Sequence, residues 1–360
     1  MKKSKKRLPS RVKVGNQYVG EGEPVFFIAE IGNNHNGDYY LAKRSIEEAV
    51  RAGADAVKFQ KRFVDDMLAK ELSEKPQTKD QVYGKTYGEY RKKLELDLES
   101  FIKLKKLADK LGVIFFATPF DKKSADFLAE VDVDAYKIAS FDVTNLPLLE
   151  YVAQKNRPMF LSVGMSTWSE IDEAVATILK YNQQLIILHC VTIYPAPDDR
   201  LNLSTIQYLK EQYKPLPTGY SGHENDILPA LAAIALGAKT IEKHFTLDKL
   251  LPGPDHATVS IEPQEFRQLV DSARRIEKIL GAPKDELWEE ERKTRDKHGK
   301  SIVSAVAIPA GTVITEKMIA YKCPGYGIKP GLKKLVIGKK ARVAIPEDVV
   351  IKPEFLKSKR

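Results

Sequence analysis

A chain of 360 residues, 43% hydrophobic and 9% aromatic, exceeds the usual single domain and carries enough apolar side chains for one large core and a smaller satellite. Its net charge of +9 raises nucleic acid as a partner, but the excess sits at the ends: Lys2, Lys3, Lys5, Lys6, Arg7 and Arg11 at the start and Lys357, Lys359 and Arg360 at the finish, with no acid in either segment. The body between them is neutral, which argues against a nucleic-acid-binding face, and the longest apolar stretches, such as residues 229–237, fall far below the roughly 18 residues that span a bilayer.

The basic ends read as solvated tails, and no apolar segment follows the first of them as a secretory signal requires. Two cysteines, Cys190 and Cys323, cannot build a disulfide framework. The expectation is a soluble cytoplasmic protein with neither membrane nor nucleic acid among its partners.

In chain order, residues 1–24 read as the basic tail and a hairpin, because VKVGNQYV (12–19) sets two short β segments around Gly15-Asn16. From residue 25 to 281 eight strand-like runs, VFFIAE, DAVKFQ, VIFFAT, AYKIAS, PMFLSV, LIILHC, TGYSGH and KTIEKHF, alternate with segments of helical composition. That order and length predict a (β/α)8 TIM barrel of α/β class. An open doubly wound sheet is the competing architecture, but no G-x-G-x-x-G follows the first strand.

Polar residues recur where these runs end: Glu30, Lys58 and Gln60, Thr118, Lys137 and Ser140, Ser162, Tyr194 just past its strand, Ser221 and His223, Glu242 and His244. In a barrel this edge faces the active site, so the His223 and His244 imidazoles, on consecutive strands, would converge and hold a divalent metal. Glu242 and Asp255 stand close by in sequence. Lys58 and Lys137, inside otherwise apolar runs, are costly to bury without an anion. The partner is either an anionic substrate or one of the carboxylates Glu30, Glu242 and Asp255.

Residues 282–297, polar and charged with one proline, read as a linker, and 298–360 as a small β-rich domain. Within it AIPAGTVIT (307–315) and AIPEDVVIK (344–352) echo one another.

The motifs FIAEIGNNHNGD (27–38), GADAVKFQ (53–60), ATPF (117–120), YKIAS (136–140), LSVGM (161–165), LHCVTIYPAP (188–197), GYSGHE (219–224), IEKHFTLD (241–248) and PGPDH (252–256) follow one another in one order. In them the chain resembles the sialic acid synthases, and residues 298–360 resemble the antifreeze-like (SAF) domain of those enzymes. The resemblance implies a transferase that condenses phosphoenolpyruvate with an open-chain N-acetylated hexosamine of the N-acetylmannosamine type, giving a nonulosonic acid and phosphate by C–O cleavage. A 6-phosphorylated or diacetamido acceptor is the alternative, and GKTYGE (84–89) looks like the branch that includes the animal enzymes.

The same resemblance makes His223 and His244 ligands of Mn2+, with Mg2+ or Co2+ as alternatives, and places Lys58, Lys137, Ser140, Ser162 and Ser221 around phosphoenolpyruvate. Glu30 matches the catalytic carboxylate, with Lys58 and Lys137 counted beside it. Gln60, Tyr194, Asp255 and Asp142 match positions around the amino sugar, and Thr118 and Glu242 polar residues of the same rim. Thr192 stands where many bacterial members have an asparagine near the phosphate, and Cys323 where many have an arginine, leaving Lys322 or Lys329 to supply a cation there, or an acceptor that needs none. The implied assembly is a domain-swapped homodimer. An aldolase using Lys137 as a Schiff-base lysine remains a rival within enzymes; a surface-binding role for the antifreeze-like domain leaves the polar rim unexplained.

Overall fold

The computed structural model describes residues 8–77, 81–253 and 255–357. Most of the basic tails, residues 1–7 and 358–360, therefore lies outside the described residues, while Arg11 belongs to the first strand and pairs with Glu23 at 2.7 Å. Two compact units meet at the 281/282 boundary, residues 1–281 and 282–360.

The first unit opens on the expected hairpin, β1 (Arg11–Val14) and β2 (Gln17–Gly20), antiparallel with Arg11 opposite Gly20. Eight parallel strands follow: β3 (Phe26–Gly32), β4 (Ala56–Lys61), β5 (Ile114–Pro119), β6 (Tyr136–Ile138), β7 (Met159–Ser162), β8 (Leu185–Cys190), β9 (Thr218–Gly222) and β10 (Thr240–His244). They form a closed barrel in which β10 returns to pair with β3. Each coincides with one of the eight runs read in the sequence. Both faces of these strands are buried, which is why they read as near-continuous apolar runs instead of alternating ones.

Helices cover the outer face. Tyr39–Arg51 starts where the Asp38 carboxylate accepts from the Leu41 amide, and it buries Ala42, Ser45, Ile46 and Ala49 on one face at helical spacing. Pro263–Leu280 does the same with Phe266, Leu269, Val270 and Ala273. The helix after β9 begins at Leu228, whose amide donates to the Asp226 carboxylate at 2.7 Å.

Inside the barrel, Phe26, Phe116 and Phe160 come from alternate strands and stack nearly parallel, with centroids 6.2 Å apart for Phe26–Phe160 and 5.1 Å for Phe116–Phe160. This is the layered packing that alternate strands produce. The polar residues lie farther along the same inward faces.

In the second unit β11 (Ser301–Ser304) pairs antiparallel with β12 (Ile319–Lys322) over a core that includes Ile302, Ile308, Ile314, Val336, Ile345 and Ile351. The two echoing segments meet each other: the Ile308 and Ile345 amides each donate to the other's carbonyl at 2.8 Å. The segment read as a linker carries a helix, Glu289–His298, that buries none of its residues. It has no apolar period to betray it; its signal is charge, with Glu289, Glu290 and Glu291 in the first turn and Arg295, Lys297 and His298 in the last, complementing the helix dipole.

Candidate active site

Alternation along the strands decides what faces inward. On β4, Phe59 packs outward against Phe101 and Phe115 while Lys58 and Gln60 point into the barrel. The same alternation brings Glu30, Thr118, Lys137, Ser162, Ser221, Glu242 and His244 to one pocket of about 230 Å³ at the carboxyl ends of the strands, joined by Ser140, Tyr194, His223 and Asp255 from the loops beyond.

The floor of this pocket is a chain of opposite charges. Lys58 Nζ lies 2.7 Å from Glu30 Oε2 and 3.6 Å from Glu242 Oε1, and it donates to Thr118 Oγ1 at 3.2 Å. Lys137 Nζ is 3.8 Å from the same Glu242 oxygen, which also accepts from Ser221 Oγ at 3.1 Å. Of the partners open for the lysines in the sequence, the carboxylates Glu30 and Glu242 stand beside them.

Burial and these neighbours pull the two glutamates apart. For Glu30, burial outweighs Lys58 and holds the carboxyl above its usual range. For Glu242, burial pushes upward too, but Lys137 and Lys58 together win and hold it below. Burial also pushes the Lys137 ammonium down, against the pull of Glu242. Two carboxylates and two ammonium groups thus sit within 4 Å of one another in a chain, the two carboxyls shifted in opposite directions, an arrangement suited to moving a proton.

The two histidines face each other across β9 and β10, their ring centroids 5.4 Å apart. His223 Nδ1 donates to the Val191 carbonyl at 2.8 Å, which leaves Nε2 for a ligand. Burial, reinforced by the charge of His223 and nearby lysines, drives the His244 imidazole well below its ordinary range, so this ring is neutral. Its Nδ1 is buried without a hydrogen-bond partner. At His223 burial pushes down, but Cys190 and the Val191 carbonyl outweigh it and hold the imidazole above its ordinary range. Among the described residues no group of three or more His, Cys, Asp or Glu side chains comes together to hold a metal, so the pair can serve only a site with several open positions.

Not every residue marked in the sequence reaches the pocket. Asp142 is buried beside Asn145, whose Nδ2 donates to it at 3.0 Å, and Thr192 lines a neighbouring cavity with Gly164 and Met165. Thr192 nonetheless closes in on the rim from behind: a Cβ built on Gly164 would stand 2.4 Å from Thr192 Oγ1 and 2.9 Å from Ser140 Oγ, so only glycine fits between them. Lys322, in the second unit, pairs with Asp348 at 2.5 Å. Two arginines were missed: Arg62 and Arg91 also line the pocket. Arg62 continues the Lys58–Gln60 alternation past the end of β4 and could have been found by it; Arg91, from the distant helix Tyr87–Lys93, left no such signal.

Buried acids, bases and cations converging at the carboxyl ends of a parallel (β/α)8 barrel define an enzyme. Residues 45–285 match the NeuB family and residues 299–357 the SAF domain. The chain is 38% identical to N-acetylneuraminate-9-phosphate synthase of Homo sapiens, over 94% of this chain and 95% of that one. It is 40% identical to N,N'-diacetyllegionaminic acid synthase of Campylobacter jejuni, over 91% of this chain and 99% of that one. The crystal structure of N-acetylneuraminic acid synthetase from Leptospira borgpetersenii, in complex with citrate, superposes with a TM-score of 0.70 at 38% identity, covering 80% of this chain and 96% of that one. The chain belongs to the NeuB, or sialic acid synthase, family and carries a C-terminal SAF domain.

Proposed function

We propose that this chain condenses phosphoenolpyruvate with an open-chain N-acetylated hexosamine, forming a nonulosonic acid and releasing phosphate by C–O cleavage. The observation that carries the reading is the floor of the pocket, where Lys58 and Lys137 flank Glu242 and the buried Ser162 hydroxyl has no hydrogen-bond partner. Two ammonium groups and free hydroxyl donors on one rim suit a small carboxylate-phosphate.

In this reading Lys58, Lys137, Ser140 and Ser162 hold the two anionic ends of phosphoenolpyruvate, so that its carbon 3 faces the sugar aldehyde. Lys58 then exchanges Glu30 for substrate. Losing that cation raises the Glu30 carboxyl further and makes it a better base for the water that adds at carbon 2. Loss of phosphate from the resulting hemiketal follows, with the lysines stabilising the departing charge. A divalent cation, Mn2+ for preference, would be held by His223 and His244; the neutral His244 ring with its unpartnered Nδ1 suits it. Bound there, it supplies Lewis acidity toward the aldehyde oxygen.

The same proposal includes a cytoplasmic homodimer in which the SAF domain of one copy covers the barrel mouth of the other and Lys322 supplies a cation there. No helix among the described residues is long and apolar enough to cross a membrane.

The test is incubation with Mn2+, phosphoenolpyruvate labelled with 18O in the bridging oxygen, and a panel of N-acetylated hexosamines. Label in the released phosphate and a product of nonulosonic acid mass are expected; unlabelled phosphate would overturn C–O cleavage. One observation favours a second chemistry: burial depresses the Lys137 ammonium, as a Schiff-base lysine requires. Borohydride trapping with pyruvate decides between them, since the condensation leaves no covalent adduct.

A further inference from the structure

The pairing of β9 with β10 sets Ile241 opposite Tyr220, Glu242 opposite Ser221 and Lys243 opposite Gly222, and stops there. His223 and His244 lie one residue past its end, so the ladder between their own strands does not fix the separation of the two rings. His244 is tied on its other side, opposite Glu30 of β3. His223 lies outside β9; its main-chain carbonyl accepts from the Ala196 amide at 3.2 Å, and its ring packs against Tyr194 with centroids 4.0 Å apart.

Past the end of the ladder, the side chain of Lys243 crosses from β10 to the backbone that follows β9. Its Nζ donates to the main-chain carbonyl of Glu224 and pairs with Glu224 Oε1 at 3.1 Å, while the Tyr220 hydroxyl donates to Oε2 at 2.9 Å. The carboxylate is folded back onto β9. A Cβ built on Gly222 would stand 2.5 Å from Oε1 and 2.6 Å from Oε2, so a side chain at 222 would push the carboxylate away from both partners. Residues on either side of His223 are thereby gripped, and the grip is anchored on the residue before His244. A buried ion pair is a poor source of stability, because apolar residues of similar volume in its place are often neutral or better. Stability therefore does not account for the pair, whereas its place between the two histidines does.

We propose that Glu224 and Lys243 are positioning residues for the metal pair, clasping the two strand ends so that His223 and His244 keep the separation at which they share one divalent cation. Neither residue lines the pocket; both act through the backbone next to the histidines. With no third side-chain ligand beside the two rings among the described residues, a small displacement of either ring costs affinity steeply. The inference rests on the metal reading above.

The experiment titrates Mn2+ into the full chain without substrates and reads the free ion by electron paramagnetic resonance. Wild type and His244→Ala set the two limits. The paired variant, Lys243→Met with Glu224→Gln, replaces both charges together and so avoids the stranded charge of either single change; urea unfolding on the same samples shows that it folds. Its Mn2+ dissociation constant is expected to rise about 10- to 100-fold. Leu104→Ala, a core truncation outside the pocket that weakens the fold, should keep the wild-type value. In turnover the Mn2+ concentration giving half the maximal rate should rise in step, with the Michaelis constant for phosphoenolpyruvate unchanged, because Lys58 and Lys137 are untouched. If the paired variant does not fold, Tyr220→Phe, which removes one donor to Glu224, is the second arm, with an expected rise of about 2- to 10-fold. Wild-type Mn2+ affinity in the folded variant overturns the proposal, as does an equal loss in Leu104→Ala, which would make the effect one of stability. Mn2+ binding by the wild type that His244→Ala leaves unchanged sinks the metal reading itself, and this inference with it.

Discussion

Lys243 Nζ lies 3.1 Å from Glu224 Oε1 in an ion pair closed to solvent, with side chains 0% and 3% exposed. The Tyr220 hydroxyl donates to the other Glu224 oxygen at 2.9 Å. Because side chains alternate along a strand, Lys243 and Tyr220 point away from the pocket that Glu242, His244 and Ser221 enter. The network therefore ties β9 to β10 from behind, next in sequence to both histidines.

Breaking that pair from one side strands a buried charge. Lys243→Met should cost about 3–5 kcal/mol of stability, and adding Glu224→Gln should recover a large part of it. Urea unfolding of the two variants measures this. A loss below about 1 kcal/mol for Lys243→Met would mean that the pair is not isolated from water.

The metal proposal predicts that His223→Ala and His244→Ala each abolish turnover while the circular dichroism spectrum is retained, since a site with two protein ligands cannot spare one. Mn2+ binding, followed by electron paramagnetic resonance, should be lost in step. Wild-type rates for either variant in metal-depleted buffer would remove the metal from these residues.

Lys137→Met should raise the Michaelis constant for phosphoenolpyruvate far more than that for the sugar, because Lys137 sits at the anionic floor beside Glu242. Equal effects on both substrates would move Lys137 out of the anion site.

Acid should weaken the fold partly through His35. Burial, with Arg62 adding, lowers this imidazole to about 3 from 6.5, and Nδ1 accepts from the Gly37 amide at 3.1 Å. Between those values the unfolded chain binds a proton that the folded chain refuses. Its contribution is therefore complete above pH 6.5 and is lost as pH falls, by up to about 1.4 kcal/mol per pH unit. His35→Asn keeps an acceptor for Gly37 and removes the titration. Denaturant midpoints at pH 7, 6 and 5 should fall less steeply for that variant; parallel slopes would exclude His35 as the cause.

The barrel was legible because each strand is an apolar run ending in a polar residue, and closure then sends every such residue to one rim. His223 and His244 could be placed together for that reason alone. What pairs with what could not be read: Lys58 meeting Glu30 and Glu242 depends on the register of β3, β4 and β10, which no local pattern encodes. Arg91 was invisible because it comes from a helix unrelated in period to the strands, and Glu289–His298 because its helicity rests on charge at its ends. Asp142 and Thr192 carry the right chemistry near the right strands, but the turns after β6 and β8 aim them elsewhere.

The stacked rings of Phe26, Phe116 and Phe160 give the charged cavity an insulating base. Field lines from charges above are poorly screened from below, so they leave through the open end, toward bulk solvent. Anion capture should then be fast and strongly dependent on ionic strength, and a polar substitution such as Phe160→Ser, by admitting water beneath the charges, should slow association even though it touches neither substrate.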